Sequence, residues 1–166
     1  MTRDDLIRSA YLPLDDITEP ALVRAIELWR SQASNGPPPR RAIDPIALGT
    51  AVLPYVFLVD VALVEPRFVY RLVGTAVEAY LGPLRGRTPA HLRFGRGGQE
   101  VARHYERVVH TRGPIYCVRD IVGEGFRRYR YRTVVMPLSS DGARVDGLFG
   151  AAAIDAEEML ETAVGM

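Results

Sequence analysis

The chain has 166 residues, of which 48% are hydrophobic and 25% charged, with a formal net charge of +1 and a single cysteine. This length predicts one domain with its own core, and the composition excludes an intrinsically disordered chain. The near-neutral charge argues against bulk electrostatic recruitment of nucleic acid or acidic membranes, and one cysteine excludes an intramolecular disulfide framework or a cysteine zinc cluster.

The N-terminal segment predicts a lead-in followed by one amphipathic helix. Residues 1–17 show little periodicity and are acidic where a signal peptide would be apolar, so we expect an irregular lead-in and a cytoplasmic protein. Thr18 can cap a helix that extends to Ser31, since Pro20 is tolerated in a first helical turn. The apolar stripe of this helix consists of Leu22, Val23, Ile26 and Trp29.

A proline-rich linker over residues 34–41 separates that helix from the next region. We therefore divide the chain into an N-terminal extension (1–41), a compact domain (42–156) and a C-terminal tail (157–166). The domain opens at Asp44, a helix cap followed by a proline at the first helical position.

Two strands and a glycine-punctuated elbow come next. The run YVFLVDVALVE (55–65) is typical of a strand buried on both faces, and FVYRLV (68–73) returns as its hairpin partner. The longest apolar run, from Ala51 to Val64, is interrupted by Pro54 and Asp60 and is too short to span a bilayer, so no membrane insertion is expected. The elbow (74–86) has a short helix between glycines, which are the residues best suited to sharp turns.

The C-terminal half predicts one longer helix and three strands. The helix covers residues 99–111 and ends at a Gly-Pro break. The strands cover 115–122, 126–138 and 145–155, and a helical tail is predicted from Ala156. This order predicts an α+β fold in which a five-stranded antiparallel sheet has crossover helices on one face and the N-terminal helix near the other.

Three stretches in this order resemble a PAS domain, and more narrowly a divergent bacterial branch in which the domain stands alone. They are IDPIALGTAVLPYVFLVDV, RFVYRLVGTAVEAYLGPLRGRT and YRYRTVVMPLSSDGARVDGLFG, within a resemblance from about Trp29 to Ile154. Gly74-Thr75-Ala76 stands where ordinary PAS domains have an Asn-Pro-Ala corner. The resemblance implies a sensory or interaction module in bacterial signalling, without catalytic activity, that binds a small ligand, a protein partner or both.

The sequence lacks the motifs expected of an enzyme or of a flavin or haem sensor. Nucleophile elbows, phosphate loops and metalloprotease motifs are missing from the sequence. Flavin-binding light sensors of the PAS family carry a reactive cysteine at the start of the helix before the third strand, whereas Cys117 here falls within a strand. His104 and His110 are six apart on one helix, so they cannot chelate one ion together, and we expect surface or half-buried histidines. Flavin and haem are therefore disfavoured as cofactors, and no metal site is predicted.

The strand FRRYRYRT alternates arginines with tyrosines, which places the two residue types on opposite faces. A basic ridge of Arg128, Arg130 and Arg132 could bind a nucleotide or nucleic acid. The alternative, which a net charge of +1 favours, is that these arginines pair with carboxylates while Tyr129 and Tyr131 pack.

Two charges lie inside the apolar hairpin. Asp60 and Arg71 can form a structural pair, since a buried charge needs a partner. Alternatively, Arg71 points into a cavity and binds a ligand carboxylate.

A cavity between the elbow, the longer helix and the central strands is the predicted ligand pocket. Its candidate residues are Tyr70, Arg71, Leu72, Tyr80, Tyr105, Tyr116, Tyr131 and Phe149, chosen by size and location with strand phase left open.

The N-terminal helix leaves two arrangements open. In PAS domains the helix that leads into the fold often meets its twin, which favours a homodimer through Leu22, Val23, Ile26 and Trp29. The alternative is that the helix covers its own sheet. Rival functions are a small enzyme or carrier with an apolar pocket, which would need a His–Asp or Tyr–Asp dyad, and a nucleotide-binding regulator.

Overall fold

The computed structural model describes residues 7–92, 97–122 and 128–157. The described helices and strands, in chain order, are β1 (Ile7–Leu12), α1 (Pro20–Gln32), β2 (Val56–Val61), β3 (Phe68–Val73), α2 (Thr75–Leu81), α3 (Gly97–Thr111), β4 (Ile115–Val122), β5 (Arg128–Leu138) and β6 (Gly147–Glu157). Short 3-10 turns connect several of them. The predicted turn at 123–125, Phe126, Arg127 and the tail beyond residue 157 lie outside the described residues.

All strands belong to one antiparallel sheet with the order β1-β4-β5-β6-β2-β3. The predicted α+β fold is confirmed, but the sheet has six strands rather than five. The predicted irregular lead-in is wrong for residues 7–12, because β1 pairs with β4 in the register Tyr11↔Cys117. An edge strand needs a partner on one side only, and a short polar edge strand carries little apolar signal. The predicted helical tail is also wrong at its start, since Ala156 lies in β6.

Helix α1 covers one face of the sheet, which we call the outer face. Leu22, Ile26 and Trp29 are buried in a core formed with residues of the outer face, and Val23 is partly buried there. The indole Nε1 of Trp29 donates a hydrogen bond to the carbonyl oxygen of Pro137 at 2.8 Å. The helix therefore covers its own sheet, and the described part of the N-terminal extension packs on the domain.

The opposite face, which we call the inner face, is covered by α2 and α3. A second apolar core lies there and includes Phe57, Val77, Leu81 and Val108. Residues that alternate along β5 and β6 enter the two cores in turn: Ala151 belongs to the outer core and Ala152 to the inner one. Burial on both faces explains why β5 is apolar over residues 134–138 and β6 over residues 147–152.

The small residues of β6 allow a close approach. A Cβ atom built on Gly150 would lie 2.1 Å from Cζ of Phe57, so the ring of Phe57 lies directly on the backbone of β6. Tyr70 contacts this ring edge-on, with centroids 6.2 Å apart. The ring cannot move away without disturbing the inner core.

We expect Gly150→Ala to lower the free energy of unfolding by about 1–3 kcal/mol, because the new methyl group overlaps the ring of Phe57. Gly147→Ala is the matched control on the same strand, since its Cβ would make an ordinary contact at 3.5 Å. Urea unfolding of both variants measures the difference. Phe57→Leu combined with Gly150→Ala should cost less than the sum of the two single changes, and equal costs for the two glycine variants would contradict this packing.

Candidate functional site

The predicted pocket residues divide between the two faces of the sheet. Tyr70, Tyr105 and Tyr131 share the inner core. Three others lie on the outer side, with Tyr116 and Phe149 in the outer core and Leu72 packed against it. Tyr80 is half-buried and contacts Tyr129 edge-on at 6.2 Å. The faces follow from strand phase, which changes in β3 at Arg71, because this residue is skipped in the pairing with Leu58 and Val59 of β2.

The three inner tyrosines form the centre of the candidate site. The hydroxyl oxygens of Tyr70 and Tyr105 are hydrogen-bonded at 2.8 Å. Burial raises the pKa of both phenols well above the ordinary value, and burial likewise raises the pKa of Tyr131. All three are therefore neutral at physiological pH and act as hydrogen-bonding groups within an aromatic wall.

Arg119 lies beside these tyrosines and was not predicted. It comes from β4, opposite Tyr131 in the sheet register, and its side chain is 0% exposed. One nitrogen, Nη2, donates to the backbone carbonyl of Glu100 at 3.3 Å. Within the part of the chain that the structure describes, Nε and Nη1 have no hydrogen-bond partner. The signal was present in the sequence, since a period of two places Arg119 on the same face as Cys117 and Ile121.

His104 of α3 lies in the same region, and the predicted exposure of this histidine is wrong. It is fully buried, and its Nε2 lies 3.0 Å from the carbonyl oxygen of Ile115. Among the described residues, Nδ1 has no hydrogen-bond partner. Burial, followed by the positive charge of Arg119, lowers the pKa of His104 from 6.5 to about 3. The imidazole is therefore neutral, with Nε2–H as the donor and Nδ1 as a free acceptor.

These residues do not fit the cofactors that some PAS-type sensors carry. Cys117 lies within β4, as predicted, and burial raises the pKa of its thiol, so it is not a poised nucleophile. The Nε2 of His104 is directed at a backbone carbonyl rather than at an open space for haem iron. Over the described ranges, no cluster of three or more metal-ligating side chains occurs.

The arginine ridge of β5 is largely neutralised. Arg130 pairs with Asp120 at 2.8 Å, and Arg132 pairs with Asp155 at 2.5 Å and with Glu19 at 3.1 Å. The predicted alternation is confirmed, because Tyr131 faces the inner core while these two arginines bind carboxylates. These ion pairs neutralise the positive charges of Arg130 and Arg132, which a nucleic-acid site would need.

Arg71 is placed by its ion pair and not by a cavity. Its side chain is 62% exposed and its Nε lies 2.9 Å from Oδ2 of Asp60, which also pairs with Arg40. The structural pair is therefore the alternative that the structure favours, because the side chain of Arg71 is exposed and does not enter the inner core.

A wide surface cleft of about 1450 Å³ lies along the other side of α3. Its walls include Arg67, Thr88, Arg103, Glu106 and Arg107, and none of the predicted pocket residues lines it. Arg67 connects α3 to the chain that follows β2, because it pairs with Glu106 of α3 and donates a hydrogen bond to the carbonyl of Ala62 at 2.6 Å. The same helix thus separates the buried polar centre from an open charged surface. In the described part of the chain, no helix is long and apolar enough to cross a membrane.

We expect the buried imidazole to make folding stability fall as the pH is lowered below about 6.5. Between that value and about 3 the unfolded chain binds a proton at His104 that the folded chain does not, so stability increases with pH in this window. His104→Gln, which retains a donor for Ile115, should remove up to about 1.4 kcal/mol per pH unit of this dependence. Urea unfolding between pH 4.5 and 7 measures it, with the exposed His110→Gln as control. An identical pH profile for the wild type and His104→Gln would contradict the assignment.

Comparison with known proteins places this arrangement in a family. A family model described as PAS domain matches residues 17–153. No curated protein matches the chain in sequence. Among solved structures, the LOV protein of Rhodobacter sphaeroides is 12% identical, with a TM-score of 0.48 and coverage of 67% of this chain and 64% of its own. The chain thus spans less than two thirds of the length of that protein.

Two further solved structures are similar at comparable distance. A fungal LOV domain photoreceptor is 13% identical, with coverage of 79% of this chain and 90% of its own and a TM-score of 0.47. A variant of Vivid is 10% identical, with coverage of 88% and 98% and a TM-score of 0.47. At such identities the likeness concerns the fold alone. Because the family match extends over most of the chain, from α1 to β6, this chain belongs to the PAS domain family.

Proposed function

We propose that this chain is a sensory module that binds a small ligand on the inner face of its sheet and reports the binding to a protein partner. The observation that carries the proposal is the buried polar centre beneath α3. Arg119 and His104 are both 0% exposed, and three of their ring or guanidinium nitrogens lack a partner among the described residues.

The energetic cost of this centre supports a functional role. Burying a charged or polar group without its hydrogen bonds is destabilising, and an apolar residue of similar volume would stabilise the fold better. The surrounding core is otherwise apolar or consists of paired tyrosines. A buried unsatisfied group needs a specific explanation, and a ligand that completes its hydrogen bonds provides one.

Helix α3 is suited to transmit ligand binding from the inner face to the protein surface. Its first turn accepts the hydrogen bond of Arg119 through the carbonyl of Glu100, and its middle contributes His104 and Tyr105 to the centre. Its other side carries Arg103 and Glu106, which line the surface cleft. A ligand that changes the contacts of Arg119 would shift the helix that a partner touches from outside.

The rival functions have less support. A hydrolase or transferase would need a base oriented by a carboxylate, whereas the described partner of His104 is a backbone carbonyl. A nucleotide-binding regulator would need free arginines on β5, and Arg130 and Arg132 are paired.

The predicted homodimer through α1 stays a prediction. Leu22, Ile26 and Trp29 are buried within one chain, so their burial does not require a second copy. A dimer formed by this stripe would need α1 to leave its own sheet.

We expect native mass spectrometry of gently purified protein to show a retained small molecule, since a ligand that satisfies buried polar groups dissociates slowly. Ala152→Leu adds bulk to the inner face and should release it, whereas Ala151→Leu adds the same bulk to the outer face and should not. The spectrum also gives the oligomeric state.

Three results would contradict the proposal. One is the absence of any bound molecule, combined with no thermal stabilisation by a metabolite extract. A second is retention by Ala152→Leu and loss from Arg103→Ala, which would place the ligand in the surface cleft. A third is equal loss of the ligand from Ala151→Leu and Ala152→Leu, which would indicate general destabilisation of the protein.

A further inference from the structure

We propose that the ligand of the inner face is a small monocarboxylate with an apolar or aromatic body, and that its carboxylate pairs with Arg119. This inference rests on the proposed function and specifies the chemical class that the same site recognises.

The first argument is charge balance. A guanidinium remains protonated in proteins, so Arg119 brings one positive charge into the inner core. The acidic groups nearby are engaged elsewhere: Asp120 points to the opposite face and pairs with Arg130, and the carboxylate of Glu100 pairs with Arg103. Glu100 offers Arg119 only its backbone carbonyl. The charge of Arg119 therefore has no counter-ion among the described residues.

The second argument is the geometry of the unused donors. A guanidinium has five N–H groups in a planar fork, and Nε and Nη1 together hold three of them. Neither atom has a partner in the described ranges, although both are buried. Nη2 carries a second N–H besides the one it gives to Glu100, and together with the adjacent N–H of Nε or of Nη1 it forms two parallel donors. Two such donors on a rigid fork match the two oxygens of a carboxylate, and such charged pairs are stronger than neutral hydrogen bonds.

The third argument concerns the size of the charge. His104 is neutral, so the site offers one positive charge and not two. A monoanion neutralises it, whereas a phosphate dianion would leave an excess negative charge buried at high cost. The carboxylate is therefore favoured over phosphate.

The fourth argument concerns the rest of the ligand. The ring of Tyr131 lies 5.8 Å from Cζ of Arg119, and Ile121 and the Tyr70–Tyr105 pair belong to the same inner face. Apart from the phenol hydroxyls, this wall is aromatic or aliphatic. Transfer of apolar surface from water to such a wall is favourable, so a hydrocarbon or aromatic body fits better than a polar one.

The test compares acids with their neutral amides. Isothermal calorimetry and thermal melting of the full chain are carried out with benzoate, hexanoate and acetate against benzamide and hexanamide, and with chloride and inorganic phosphate as separate arms. We expect benzoate or hexanoate to bind more tightly than acetate and than the corresponding amide. Phosphate and chloride should protect less than either acid.

Arg119→Met isolates the charge at nearly constant volume. It should weaken carboxylate binding at least about 30-fold, as expected when one partner of a buried charged pair is removed. Without ligand, it should melt at the same temperature as the wild type or higher, because an uncompensated buried charge is gone. Arg107→Met is the matched control, since Arg107 is an exposed arginine of α3 whose guanidinium lies over the ring of Tyr11. Arg119→Lys retains the charge but not the fork, and should bind with intermediate affinity even if the methionine variant fails to fold.

Several outcomes would overturn the inference. Acids that bind no better than amides, or equal carboxylate affinity in the wild type and in Arg119→Met or Arg119→Lys, would remove the role of Arg119. Protection by chloride or phosphate equal to that by the acids would remove the carboxylate class. Failure of every acid while a neutral molecule is retained in native mass spectrometry would reject this inference and leave the proposed function standing.

Discussion

The central hairpin of β5 and β6 must be covered on both faces, and the rest of the structure follows from this constraint. Each strand is eleven residues long, and its alternate side chains enter two separate cores. One sheet cannot bury both faces by itself, so the chain places α1 on the outer face and α2 with α3 on the inner face. The two faces then diverge in chemistry.

The outer face is an apolar core that also makes directional contacts with α1. Trp29 fills space beneath α1 and directs its indole N–H to the carbonyl of Pro137. Pro137 lies beyond Val135, the last residue of β5 that pairs with β4, and the indole N–H satisfies its carbonyl. Together with the ion pair between Arg132 and Glu19, the residue before α1, this bond joins the helix to β5 by directional contacts.

The inner face combines close packing with unsatisfied polarity. The ring of Phe57 lies on Gly150 and leaves no room for a methyl group there. On the same face, Arg119 retains two nitrogens and His104 one nitrogen that have no hydrogen-bond partner among the described residues. The same face therefore combines close packing with a buried charge, and the buried charge lowers the stability of the fold locally.

Sequence alone determined the elements that local chemistry specifies. Apolar periodicity and the positions of glycines predicted three features: strand β3, the elbow helix α2 and the end of α3 at Thr111. The predicted cap Asp44 accepts a hydrogen bond from the N–H of Ile46 at 3.0 Å. Local signals of this kind depend on neighbours within a few residues, which the sequence displays directly.

Tertiary structure decided what depends on pairing and phase. Strand β1 exists because β4 offers it an unpaired edge, and its own residues carry no clear pattern. The bulge at Arg71 in β3 places Tyr70 on the inner face and Leu72 on the outer one, so only part of the predicted pocket lies together. Arg119 and His104 became a site because β4 and α3 meet there, and a charge is costly only once the fold removes it from water. Burial and register are properties of the assembled chain. For that reason the sequence could indicate the fold and could place Arg119 on the same face of its strand as Cys117, but it could not show that this face is buried against α3.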